Sequence, residues 1–185
     1  MLKCIILYML CVFLAFPVVA LKAQAKLPVK KAKITFELHR QYRTFDVTFA
    51  EKGDSLSLHW SITQDLKERH GSYTMTHKSR QHASQLCYVQ PNHGQHLTLP
   101  GSQAFCMASA DIINALREES SDTKQVIFNK TYFTLLDRDE KFRGFPLFHL
   151  KDYEEGAEMW ILDDPKFPLI VKMLNNPVEI NWTIE

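Results

Sequence analysis

From Ile34 onward the chain alternates apolar and polar positions with a period of two. Ile34, Phe36 and Leu38 are separated by polar residues, and Phe45, Val47 and Phe49 repeat the pattern. The clearest run is Leu56, Leu58, Trp60 and Ile62, interleaved with Ser57, His59 and Ser61. Successive side chains of a strand point to opposite faces, so each run predicts a strand with one buried and one solvated face. Gly53-Asp54 supplies the turn between the second and third strands. The same period returns in Val126-Ile127-Phe128, Tyr132 to Leu136, Phe142 to Leu150, Met159 to Leu162, Leu169 to Met173 and Val178 to Ile184. Asn129-Lys130 reads as a tight hairpin turn, and clusters such as Asp163-Asp164-Pro165 and Asn175-Asn176-Pro177 separate the later runs.

Between about Gln64 and Ser121 the character changes. Thr76 to Leu86 carries weak helical spacing, Gln90-Pro91-Asn92-His93-Gly94 breaks it, and His96 to Leu99 forms a short strand. Ser109 is placed to cap a helix from Ala110 to Glu119, with Asp111 in its first turn opposing the helix dipole. Ile112, Ile113 and Leu116 give that helix an apolar stripe. Short strands bounded by turn residues, without strand–helix–strand alternation, predict antiparallel pairing. The expected fold is therefore α+β and β-rich. It is a strongly curved, half-barrel-like antiparallel sheet of about nine strands with a helical insertion over about 64–121.

The first residues add a compartment to this picture. Lys3 precedes an apolar run from Cys4 to Leu21 broken only by Pro17, and Ala23-Gln24-Ala25 offers small residues for a signal peptidase. Residues 1–25 read as a signal peptide cleaved after Ala25, with Ala20 as the second choice; an uncleaved membrane anchor is the alternative. Residues 26–33 read as a short basic tether and 34–185 as a single domain. The expected location is periplasmic or extracellular, with no stable membrane insertion after cleavage.

Removing the first 25 residues takes two lysines and no acid, which leaves 20 basic and 21 acidic residues, a net charge of −1. That balance gives no electrostatic reason to propose nucleic acid as a partner. Basic residues outnumber acidic ones 11 to 6 over 26–110, and acidic outnumber basic 15 to 9 over 111–185. Complementary halves of one sheet account for the asymmetry. Cys87 and Cys106 are the cysteines that survive cleavage, a disulfide candidate in an oxidising compartment. The alternative is two buried thiols packed as small apolar groups.

The run from Trp160 through Asp163-Asp164-Pro165 and Pro168-Leu169-Ile170 to Met173 resembles the terminal hairpin of exported bacterial β-rich proteins of unknown function. Gly71-Ser72-Tyr73, Gln90-Pro91, Leu99-Pro100 and Ser109-Ala110 are similar to their middle region, so the resemblance covers roughly 55–185. The layout is also similar to that of the periplasmic lipoprotein carriers. Their curved sheet, covered by helices, holds an acyl chain. No binding residue of that family maps onto a position here, and the likeness implies a fold rather than a site.

Candidate chemistry is sparse. His93-Gly94-Gln95-His96, with His77 and His82 upstream, offers imidazoles in a loop, but a metal site needs a third ligand and a supporting shell. Asp163-Asp164 is explained by its turn. Asp137, Asp139 and Glu140 lack the spacing of a calcium loop. No metal or cofactor is therefore assigned. The chain has no nucleophile elbow, phosphate-binding glycine loop or dinucleotide fingerprint. The leading expectation is a non-catalytic binding domain for an apolar ligand or lipid, with Trp60, Ile112, Ile113 and Leu116 as ligand-binding residues. A structural or interaction module of the cell envelope, with an envelope protein as partner, is the alternative, and an enzyme of unknown class comes third. Alternation does not separate a filled aromatic core from a lined pocket, and a filled core is the favoured expectation of the two.

Overall fold

A computed structural model describes residues 27–118 and 125–185. The signal-peptide segment and the preferred cleavage site lie outside them. Among the described residues, no helix is long and apolar enough to cross a membrane.

The first four strands form a meander: β1 (Lys31–Leu38), β2 (Gln41–Lys52), β3 (Ser55–Gln64) and β4 (Lys67–Met75). The turns His39-Arg40 and Asp65-Leu66 hold both central residues at positive φ, the geometry that matches the twist of two-residue hairpins. The middle segment carries α1 (His77–His82), β5 (Gln85–Leu86), β6 (His96–Thr98), β7 (Gln103–Ala104) and α2 (Ala110–Arg117). The chain then completes β8 (Gln125–Phe128), β9 (Thr131–Asp137), β10 (Lys141–Phe142), β11 (Phe145–Lys151), β12 (Glu158–Leu162), β13 (Ile170–Leu174) and β14 (Ile180–Ile184).

Twelve of these strands make one sheet, ordered β6-β4-β3-β2-β1-β14-β13-β12-β11-β9-β8, with β10 paired to β11 off that path. The sheet has two edges, β6 and β8, and is not a closed barrel. Its centre is the pairing of β1 with β14, which sets Ile34 against Ile184 and Phe36 against Trp182. The chain's two halves thus join in the middle of the sheet rather than forming separate units.

Four expectations change. The strand count rises from about nine to twelve in the main sheet. The sheet is mixed rather than purely antiparallel, because β4 and β6 run parallel. The helical insertion begins later than Gln64, since Lys67–Met75 is a full strand of the meander. Lys31–Lys33 of the supposed tether already belong to β1, and Val29 before them is buried.

The alternation does its predicted work on β1 to β3, and β4 adds Tyr73 to the same face. Ile34, Val47, Phe49, Leu56, Leu58 and Tyr73 are buried, and the polar residues between them face out. The middle segment covers this buried face. Its α2 helix lies against α1 and β8 and buries Ile112, Ile113 and Leu116. Ser109 stands at the N-cap but makes no side-chain capping bond. Asp111 Oδ2 instead pairs with His82 Nδ1 at 2.7 Å and ties the two helices together.

Candidate functional site

An apolar cavity of about 230 Å³ lies between the inner face of β1 to β4 and the covering segment. Ile34, Phe36, Phe45, Val47, Trp60 and Tyr73 form its sheet wall. Leu86, Cys87, Tyr88, Phe105 and Cys106 form the opposite wall, and Trp182 and Ile180 of β14 close one side. Register explains why these residues meet. Val47 pairs with Trp60, Trp60 with Gly71, and Phe36 with both Arg43 and Trp182, so one parity of each strand faces the cavity.

The aromatic rings brace each other. Tyr73 stacks on Phe105 with centroids 4.0 Å apart, and Phe36 meets Phe45 edge-on at 5.7 Å. Phe45 in turn meets Trp60 edge-on at 5.6 Å. Such pairs contribute about 0.5–1.5 kcal/mol each beyond simple burial. Trp60 has room only because its strand neighbour is glycine. A Cβ on Gly71 would sit 2.7 Å from Trp60 Cζ2. The Trp60 indole N–H is buried and has no acceptor among the described residues.

The polar groups of the walls are held quietly. Tyr73 Oη donates to the Val89 carbonyl at 3.0 Å, and burial pushes its phenol far above the usual range. Tyr88 Oη accepts from Asn176 Nδ2 at 2.9 Å and Asn129 Nδ2 at 3.3 Å, while burial pushes its phenol above the usual range. Cys87 and Cys106 stand as free, buried thiols on the same wall. Burial, reinforced by Cys87, pushes the Cys106 thiol well up, which keeps it protonated and a poor nucleophile.

Of the residues singled out for ligand binding, Trp60 is in the cavity wall. Ile112, Ile113 and Leu116 are not. They pack in the core beside α1 and β8, where the amphipathic stripe of a short helix is satisfied by protein alone. The residues that sequence reasoning missed are Tyr73, Tyr88, Phe105 and Arg43. Tyr73 sits in the segment read as an insertion, and Tyr88 and Phe105 lie in irregular chain where periodicity carries no signal.

A second cluster occupies the outer face of β9, β11 and β12. His149 stacks on Trp160 at 4.1 Å, with Lys172 Nζ 4.3 Å from the indole centre. His149 Nδ1 lies 3.3 Å from Asp137 Oδ2 and Nε2 lies 2.9 Å from Glu158 Oε2. Trp160 Nε1 donates to Glu140 Oε1 at 2.7 Å. Asp137, Glu140 and His149 could offer a cation three ligand atoms, all within 4.8 Å of one another. Each group also has a protein partner already. Lys151 Nζ donates to Glu158 Oε1 at 2.9 Å, and this bond, with a smaller share from His149, holds the Glu158 carboxyl below its usual range.

The histidine loop is likewise engaged by protein. His93 meets His70 at 4.5 Å between ring centres and takes the His70 backbone N–H on Nδ1, while His96 Nδ1 bonds Ser72 Oγ at 2.8 Å. Asp164 Oδ1 accepts from the Lys166 N–H at 2.8 Å, the turn role expected of it. Compared with protein-family models, with curated proteins and with solved structures, the chain matches none.

Proposed function

We propose that this protein is an exported, non-catalytic binding domain that holds an apolar ligand against the inner face of β1 to β4. The observation that carries the reading is the cavity of about 230 Å³ walled by braced aromatic and aliphatic side chains. Pockets of this character, with few polar groups, are the usual form of small-molecule sites. The half-barrel curvature expected of the sheet belongs to the same reading. Arg143, in the turn between β10 and β11, donates through Nη1 to the Lys31 carbonyl at 3.1 Å, although β11 and β1 are four strands apart, roughly 19 Å along a flat sheet. The likeness of layout to the periplasmic lipoprotein carriers is part of the proposal, as is a Cys87–Cys106 bridge in an oxidising compartment. The parallel register of Leu86 with Ala104 brings those two thiols to one wall.

The test is native mass spectrometry of protein isolated from its own host, followed by titration with an environment-sensitive apolar dye. A co-purifying amphiphile, or saturable dye binding lost on Trp60→Ala, supports the reading. Dye binding that is neither saturable nor sensitive to Trp60 overturns it.

A module for protein contact has one observation of its own. The edge strand β8 and its neighbour β9 present the cross-strand pair Ile127 and Tyr132, 55 % and 59 % exposed. Concentration-dependent self-association abolished by Ile127→Ser would favour that reading.

A further inference from the structure

We infer that the cavity's occupant is a single-chain amphiphile with an anionic head, its chain among Phe45, Val47 and Trp60 and its head on Arg43. This rests on the apolar-pocket reading and adds the chemistry of the ligand's polar end. Among the residues that line the cavity, Arg43 alone carries a formal charge. It is exposed at the open end of the inner face, opposite Phe36 in the β1–β2 ladder. It makes no hydrogen bond or ion pair with any described residue.

The strand β4 repeats the sign. Ile62 pairs with Arg69 and Gln64 with Lys67, which puts both cations on the parity of Trp60 and Tyr73, at the same end as Arg43. The acids of these strands go elsewhere. Glu37, Asp46 and Glu68 alternate onto the opposite face, where Glu37 engages Tyr42. Glu51 shares the inner parity but lies at the far end, bound to Arg80 Nη2 at 2.8 Å. An apolar cavity therefore opens toward unpaired positive charge on two strands, β2 and β4, a field complementary to an anion at the mouth. The volume sets the other end of the molecule. About 230 Å³ is below the ~300–1,000 Å³ of sites for drug-sized ligands, which suits one alkyl chain and not several.

The experiment is calorimetric or fluorescence titration of the full protein at low salt with dodecanoate, dodecyl phosphate and dodecanol. The three share a chain and differ at the head. At least one anion should bind about tenfold or more tightly than the alcohol, the scale expected for a charge-assisted contact. The tighter of the two anions identifies the head as carboxylate or phosphate. The preference should shrink as salt rises, and Arg43→Gln should remove most of it by weakening the anions toward the affinity of dodecanol. Arg43→Lys should retain part of the preference. Both changes are at an exposed side chain, so circular dichroism and the melting temperature should stay as in the parent. Equal affinity for alcohol and anions overturns this inference and leaves the apolar pocket standing. A preference that survives intact in Arg43→Gln overturns the assignment to Arg43. Absence of binding by all three ligands overturns both this inference and the pocket reading.

Discussion

Replacing Gly71 with Ala tests the packing on which the cavity wall depends. A Cβ at position 71 would fall 2.7 Å from Trp60 Cζ2 and 2.9 Å from Cε2. Carbon atoms settle at roughly 3.5–4.0 Å, so the ring would have to retreat by about 0.8 Å. Trp60 is only 5 % exposed and is held edge-on by Phe45, so the retreat meets packed neighbours. Overpacking of that kind costs about 1–3 kcal/mol. Exchanging Gly for Ala in a strand returns roughly 0.5–1 kcal/mol of backbone entropy. The net expectation for Gly71→Ala is a loss of about 0.5–2 kcal/mol. Trp60→Ala alone should lose about 3–5 kcal/mol, as large aromatic truncations do. Once the ring is gone the clash is gone, and Gly71→Ala should then stabilise the Trp60→Ala background by roughly 0.5–1 kcal/mol. Urea unfolding of the four proteins closes the cycle, and the coupling should be about 1–3 kcal/mol. A coupling below about 0.5 kcal/mol would refute the argument that Gly71 exists to seat Trp60.

Ile113→Asp should destabilise the domain by more than about 3 kcal/mol, since it removes a fully buried side chain and buries a charge without a partner; because α2 does not line the cavity, ligand affinity per folded molecule should be unchanged. Glu158 has its carboxyl lowered in the folded state, so its contribution is present above the ordinary glutamate value of about 4.3 and fades as pH falls through and below it. Unfolding free energy measured from pH 6 downward should therefore drop less steeply in Glu158→Gln than in the parent, and equal slopes would count against the Lys151 contact. In reduced native protein, iodoacetamide should leave Cys106 unmodified for as long as the fold holds and label it promptly in urea; rapid native labelling would mean that the covering segment opens readily.

Much of the sheet is legible in the sequence because alternation is a direct readout of a half-buried strand. Leu56, Leu58 and Trp60 identify β3 without help, and Asn129-Lys130 marks the β8–β9 turn, where both residues take positive φ. β4 escapes for an equally physical reason. Its first four residues, Lys67 to His70, are all exposed, and its first buried position is a glycine dictated by Trp60. A strand end that protrudes past its core carries no apolar pattern to read. The turn before it, Asp65-Leu66, has no glycine or asparagine to announce positive φ. The candidate site is half legible on the same terms. Trp60 can be found because it alternates with its neighbours, whereas Tyr88 and Phe105 reach the cavity through irregular chain. The α2 stripe misleads because burial against protein and burial against a ligand impose the same pattern on a helix.

The weight between a filled core and a ligand pocket turns on what the cavity costs. A dry void of about 230 Å³ would cost on the order of 5 kcal/mol at the roughly 24 cal/mol per Å³ found for buried cavities. That is comparable with the entire net stability of a typical domain, about 5–15 kcal/mol. Water entering through the open mouth lowers the figure, yet a wall this apolar offers water few partners. A protein that needed only a stable sheet could close the space with a larger side chain at Val47. The space is instead propped open, with Phe36, Phe45 and Trp60 set edge to face and Tyr73 stacked on Phe105. The wall also keeps the buried Trp60 N–H without an acceptor among the described residues, and leaves Arg43 unpaired at the rim. Among the described residues, the other buried side-chain nitrogen and oxygen atoms all have partners. An unfilled apolar space beside an unpartnered indole N–H supports the proposed binding role over a purely structural one.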